Sequence, residues 1–258
     1  MTRTVPSHAA TRAAVHAAVL CFSLLAVPAS AQTPAPGPPS PPPPLREGSA
    51  EFAFVGTSGN SSTQTIGAGG EFISRPAPWE LKTTVKYVRN ESDDELKAES
   101  FLAIFRAQRA LRPRLAAYGQ YGYQRDQFAG ILNRNAVEGG LAYTWVDRSP
   151  HKLVVDAGLG YAREDRLTGE DLSTATLATG AAYRLKFSEN SELTEEGRFV
   201  FALSDGDDWR YANLVALTAK MTTIFSLKVS NGIRYVNAPV AGFDTTDVIT
   251  AIALVAKF

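Results

Sequence analysis

Few residues in this chain could carry acid–base or nucleophilic chemistry. Past the first 31 residues a single histidine, His151, and no cysteine remain. That excludes disulfides, thiolate metal sites and a cysteine nucleophile. A serine hydrolase would need His151 within hydrogen-bond reach of a serine, and the candidates Ser149 and Ser188 are poorly placed for it. Glu195 and Glu196 are adjacent, so in a strand they point to opposite faces and cannot work as an acid–base pair. The run Gly67-Ala68-Gly69-Gly70 lies inside a strand pattern, where glycine eases curvature, and is no phosphate loop. No catalytic residue, cofactor site or metal site is therefore expected, and the chain reads as a non-enzyme.

Carboxylates cluster in three other places: Asp93, Asp94 and Glu95; Asp165, Glu170 and Asp171; and Asp205, Asp207 and Asp208. Oxygen ligands suit calcium or magnesium, but no spacing here reproduces a defined calcium loop. Solvated acidic loops are the plainer reading, with contact to lipopolysaccharide through bridging divalent cations as the functional alternative.

The elements that would position these groups begin after a targeting segment. Arg3 and Arg12 precede an apolar run, Ala13 to Val27, closed by Ala29-Ser30-Ala31. This is the form of a secretory signal peptide cleaved between Ala31 and Gln32. Cys21 lies inside it in a poor context for lipidation. Residues 32–46 form a spacer, with eight prolines between Gln32 and Pro44 that favour extended polyproline II. Removing residues 1–31 takes away two arginines and no acid, leaving 24 basic residues against 26 acidic ones, a net charge of about −2. Nothing in that balance suggests nucleic acid.

From residue 47 to 258 the texture is that of strands. In Trp79 to Tyr87 the odd positions are apolar or aromatic and the even ones polar; Leu153 to Tyr161 and Leu227 to Tyr235 repeat the alternation. The pattern predicts about twelve strands near 49–57, 63–74, 79–90, 97–110, 115–126, 134–146, 151–164, 173–186, 191–203, 209–219, 225–236 and 247–258. The fourth and ninth mix polar and apolar residues on both faces. The connections after the second, fourth, sixth and eighth strands are tight and carry proline or asparagine. Those after odd strands are mostly longer and often acidic, as in RNESDDEL, REDRLTGEDLS, LSDGDDW and NAPVAGFDTTD. Short turns at one end and long loops at the other are the habit of outer-membrane barrels.

An exported chain without spanning helices crosses a bilayer only as a closed barrel, because every backbone group in lipid needs an internal partner. The expected fold is an all-β, transmembrane, antiparallel up-and-down barrel. Trp79, Tyr87, Tyr121, Tyr123, Tyr143, Trp145, Tyr161, Tyr183 and Tyr235 fall on the apolar face near strand ends, as interfacial girdles would. Parity turns Lys82, Lys86, Gln120, Gln124, Asp126, Glu138, Asp156, Arg184, Lys228 and Arg234 inward. Such mixed charges favour a salt-bridged, partly plugged interior over a narrow pore. If open, their basic surplus gives a weak anion preference, and conduction should be sensitive at Lys82 and Arg234.

The last strand places Val248, Ile252, Leu254 and the terminal Phe258 on one face, which resembles the recognition signal read by the bacterial barrel-assembly machinery. Gly59-Asn60-Ser61-Ser62, then Gln124 to Gly130, Glu138-Gly139-Gly140-Leu141-Ala142-Tyr143, Asp244-Thr245-Thr246-Asp247 and Leu254 to Phe258 follow one another in an order that resembles the family of salt-induced outer-membrane proteins. That barrel family is defined as a domain of unknown function. The resemblance spans the barrel and implies a location, the outer membrane of a Gram-negative bacterium, more than an activity. It also implies the partners: outer-membrane lipid and lipopolysaccharide, with periplasmic chaperones and the assembly machinery during biogenesis. The functions left open are a passive small-solute channel or envelope-stress component, an outer-membrane lipase- or protease-like hydrolase, and a structural or adhesive barrel binding through its acidic loops.

Overall fold

The period-two alternation resolves into strands in a computed structural model, which describes residues 44–57, 63–92 and 95–258. The signal segment, the proline-rich run through Pro43, the Gly59-Asn60-Ser61-Ser62 motif and the acids Asp93 and Asp94 lie outside the described residues. Twelve strands follow in order: β1 (Arg46–Thr57), β2 (Thr63–Ser74), β3 (Trp79–Ser92), β4 (Glu95–Arg112), β5 (Leu115–Asp126), β6 (Ile131–Arg148), β7 (His151–Arg166), β8 (Leu172–Lys186), β9 (Ser191–Ala202), β10 (Trp209–Lys220), β11 (Phe225–Val236) and β12 (Thr246–Lys257). Each pairs antiparallel with its sequence neighbours, and β1 pairs with β12 to close the barrel. The fold is an all-β, up-and-down, twelve-stranded barrel.

Several strands run past their expected ends. Arg46 opens β1, although it reads as the last residue of the spacer; β3 continues to Ser92, β4 starts at Glu95 and β7 reaches Arg166. Parts of RNESDDEL and REDRLTGEDLS are thus strand rather than loop. A strand that has left the bilayer needs no apolar outer face, so outward charges, as in the Arg89–Glu91 and Arg163–Asp165 pairs, look like loop in sequence. The irregular parity of strand four has a local cause: Leu102 and Ile104 turn inward beside Arg106 and Gln108, while outward Arg109 lies 5.8 Å from the ring centre of Trp79.

The outer face is apolar and uncovered. Phe54, Leu159 and Ile252 are 58 %, 63 % and 57 % exposed, and Phe52, Phe105, Val137 and Leu254 join them around the circumference. A polar interior beneath such a belt reverses the arrangement of a water-soluble barrel and is what a hydrocarbon slab requires. On β6 the ten steps from Trp145 to Asn135, whose partner is Tyr123, cover about 33 Å of strand, or about 25 Å of height at a tilt near 40°. That matches a barrel's apolar band.

At the end carrying the short turns, Arg75 bonds Glu47 at 2.5 Å and Glu80 at 2.9 Å, tying the β2–β3 turn to β1. Phe258 and Gly48 exchange backbone bonds of 2.9 and 2.8 Å, and a Cβ on Gly48 would meet the Phe258 ring at 2.5 Å. Val248, Ile252 and Leu254 face outward along the same strand. At the opposite, loop end a single 3-10 turn, Gln127–Ala129, is capped by Asp126 and left through Gly130 at φ 74°.

Candidate functional site

The interior divides into tiers by what its side chains hold. Halfway up, β6, β7 and β8 present a wall of small inward residues, among them Gly140, Gly158, Gly160 and Ala178. A Cβ on Gly158 would stand 2.6 Å from the Tyr118 hydroxyl, so the missing side chain is what lets that phenol lie flat on the wall. Tyr118 donates to Glu138 Oε1, and the Arg106 guanidinium stacks 3.7 Å from the centre of its ring. Arg198 reaches from β9 to Glu138 and, at 3.3 Å, to Asp156; Arg106 reaches Asp156 at 3.3 Å and Gln120 at 3.5 Å. Two arginines and two carboxylates thereby brace the lumen from side to side. Charge-assisted bonds between planar guanidinium groups and carboxylates hold such a geometry more firmly than lysines would.

The second tier lies near the loop end. Glu164, fully buried on β7, accepts from Arg134 at 2.7 Å, Arg166 at 2.9 Å and Arg210 at 3.2 Å. Arg210 is also 3.7 Å from Asp208, and Arg234 bonds Asp126 across the barrel at 3.0 Å. Above this tier the β11–β12 connection, residues 237–245, leans over the mouth. Its Ala241 carbonyl accepts from Thr168 at 3.0 Å, and Val240 is buried. A Cβ on Gly130 would come within 2.8 Å of both Val240 and Phe243, so this glycine supplies both the left-handed turn and the room for the lid.

The lower tier is open and basic. Lys82 pairs with Glu71 at 2.6 Å and Lys228 with Glu51 at 2.7 Å. Lys152 and Arg184 are direct cross-strand partners of like charge, both facing inward. Among the described residues no ion pair or hydrogen bond involves Lys86, Lys152, Arg184 or Lys220. Glu196, Ala182 and Ala212, which share this space, are exposed.

All ten interior candidates, including Gln124 between Leu102 and Arg134, face the lumen. Lys82 and Arg234, where conduction is expected to be sensitive, are ion-paired to Glu71 and Asp126, whereas the four cations just named have no ion pair among the described residues. Sequence reasoning missed Glu51, Arg106, Tyr118, Arg134, Glu164, Arg198 and Arg210. Parity reached within β4 and β9 would have found Arg106 and Arg198, whereas Arg134 and Glu164 sit at strand ends that read as loop borders.

His151 starts β7 on the outer side of the turn end, its Nδ1 2.7 Å from the Tyr183 hydroxyl. Ser188 bonds Ser191 at 2.9 Å, and among the described residues no serine contacts His151. Glu195 faces outward, accepting from Asn213 at 3.2 Å, while Glu196 faces inward. Among the described residues no three histidine or acidic side chains converge on a point where a metal ion would sit. Asp171 instead accepts from the Arg166 amide at 3.1 Å, and Asp208 is buried.

The family model described as "Protein of unknown function, DUF481" matches residues 50–258. No curated protein matches the chain. Among solved structures the chain is similar to the NanC porin at 8 % identity and TM-score 0.46, covering 82 % of this chain and 97 % of that one. It is similar to the translocator domain of the autotransporter NalP from Neisseria meningitidis at 12 % identity and TM-score 0.48, with coverages of 84 % and 89 %. The KdgM porin is similar at 11 % identity and TM-score 0.41, with coverages of 81 % and 98 %.

Proposed function

We propose that this chain, which belongs to the family described as Protein of unknown function, DUF481, is an outer-membrane barrel giving constricted, anion-preferring passage to small solutes. The observation that carries the reading is the uncompensated cationic group Lys86, Lys152, Arg184 and Lys220 in a polar lumen enclosed by an apolar exterior. With an even strand count the turn end faces the periplasm and the loop end faces out. Solutes then meet the basic mouth from below, the arginine–carboxylate braces at mid-height and the 237–245 lid above. A ring of one sign selects against ions of that sign.

The reading is non-enzymatic, with His151 serving as an interfacial partner of Tyr183. Export with a cleaved signal peptide, insertion by the barrel-assembly machinery through the Val248-Ile252-Leu254-Phe258 face, and contact of the acidic loops with lipopolysaccharide belong to the same proposal. So does a role in salt or envelope stress.

The test is single-channel recording of the refolded mature barrel in a planar bilayer under a salt gradient. The expected result is small discrete steps with a reversal potential on the anion side, moved toward cations by Lys152→Glu with Arg184→Glu. Silence from a demonstrably folded barrel, or a reversal potential that ignores both substitutions, would overturn it.

A further inference from the structure

Closure of the barrel is incomplete along one line. Neighbouring strands elsewhere share eleven or more paired positions, as between β9 and β10, but β1 and β12 share four, ending at Phe52 opposite Leu254. Above that pair, residues 53–57 of β1 and 246–253 of β12 are paired only on their far sides, to β2 and β11. Phe54, Ile252 and Val248 point outward there and are well exposed, so the unzipped length lies within the apolar belt. Unpaired backbone at that depth is tolerated only where it is buried in protein or lines a water-filled cavity, and residues 247–250 of β12 are exposed.

The lumen face of the wall also turns apolar beside this seam, and the outer face carries one polar pair. Ile249, Ala251 and Ala253 of β12 face the lumen, whereas Thr250 and Asn231, bonded to each other at 2.8 Å, face outward. Beside the gap β2 presents Gly67 inward, opposite Ala53; just below it the Glu51 side chain, paired with Lys228, folds over Gly69, where a Cβ would stand 2.7 Å from its carboxylate. Past Glu51 stands Lys86, the direct partner of Gly69, with no ion pair or hydrogen bond of its own among the described residues. Overhead the 237–245 lid covers the direct route to the loop-end mouth.

We infer that the loop-end half of the β1–β12 seam is a lateral portal between lipid and lumen for a single-chain anionic amphiphile. Its hydrocarbon lies along Ile249, Ala251 and Ala253, and its charged head is held by Lys86. An open seam within the apolar belt, an apolar lining inside it and a cation without an ion pair near its lower end are complementary to such a molecule and to neither a small ion nor a neutral lipid. The inference rests on the open seam and the apolar inner face of β12, and shares only Lys86 with the proposed ion passage.

Oleate, with oleyl alcohol as the uncharged control, tests it on the full mature barrel reconstituted in phosphatidylcholine vesicles. Continuing the register one step beyond Phe52 and Leu254 sets Ala53 opposite Ala253, and the mature chain contains no other cysteine. Oxidised Ala53→Cys/Ala253→Cys should lose oleate uptake at least tenfold and regain it on reduction, with ion conductance unchanged. Ala251→Trp, which fills the lining without bridging the strands, should weaken oleate in the same way. Lys86→Met should weaken oleate about tenfold while leaving oleyl alcohol alone. Absence of saturable oleate binding to the parent barrel, or uptake unchanged in Ala251→Trp and in the oxidised pair, would overturn the portal. Equal loss of both probes in Lys86→Met would overturn the assignment of the head group.

Discussion

Glu164→Gln should be the most destabilising single-atom exchange in the barrel. Its carboxylate is 1 % exposed and contacts Arg134, Arg166 and Arg210, whose side chains are 12 %, 19 % and 16 % exposed, so solvent screens the cluster little. At an effective dielectric constant near 20, a unit charge pair about 4 Å apart is worth about 4 kcal/mol. Three such attractions are offset by repulsion among the arginines and by the cost of taking four charges out of water. Glutamine keeps the shape and one acceptor oxygen but removes the attraction, leaving the repulsion in place. The net loss should be about 3–5 kcal/mol, the size seen when one partner of a buried ion pair is removed. Urea unfolding of the barrel in lipid vesicles, followed by tryptophan fluorescence, reads it directly. Repeating the measurement in Arg134→Gln and in the double variant should return a coupling of at least about 1 kcal/mol. A loss below about 1 kcal/mol for Glu164→Gln, or additive effects of the two exchanges, would refute the view that this carboxylate organises the loop-end tier.

Gly158→Val should expel the Tyr118 hydroxyl from its seat, break its bond to Glu138 and cost about 1–3 kcal/mol in the same unfolding assay. Deleting residues 238–243 should at least double single-channel conductance, because the segment held by Thr168 and Gly130 would no longer cover the mouth; unchanged steps would place the constriction lower, at Arg106 and Arg198. Gly48→Val should push the Phe258 ring off the barrel wall and slow insertion into vesicles, measured by the gel shift between folded and unfolded forms. His151→Ala should leave stability within about 0.5 kcal/mol, since its one side-chain bond lies at the turn end.

Strand number and order were legible in the sequence because lipid and lumen impose opposite demands on alternate residues, and Trp79 to Tyr87 or Leu153 to Tyr161 can satisfy them in one register only. The interior positions of Lys82, Glu138 and Asp156 came from the same parity. The arginines that pair with Glu138 and Asp156 did not, because Arg198 lies 60 and 42 positions from them in the chain, and only closure of the barrel brings them together. Glu164 was hidden for a different reason: it stands where β7 leaves the bilayer, among charges on both faces that resemble a solvated loop. The lid was equally silent, since Val240 and Phe243 read as part of an acidic connection until Gly130 on the far side provides their seat. The open seam leaves a trace after all, in that β12 is apolar on both faces where its neighbours alternate.

The β4 strand extends five residues, Glu95 to Glu99, beyond Ser100, its last position paired with β5. There it is hydrogen-bonded to β3 alone, as a two-stranded ribbon about 12 Å tall at the barrel's tilt. Such a ribbon is a stiff mast on one side of an otherwise low rim. With the loop end outward, as proposed above, whatever approaches the cell from that side, whether antibody, phage tail fibre or neighbouring cell, would touch the mast before it touched the lipid. A peptide tag spliced between Ser92 and Glu95 would therefore be displayed clear of the surface without loading the wall of the barrel. It would report which way the molecule sits in the membrane of an intact cell.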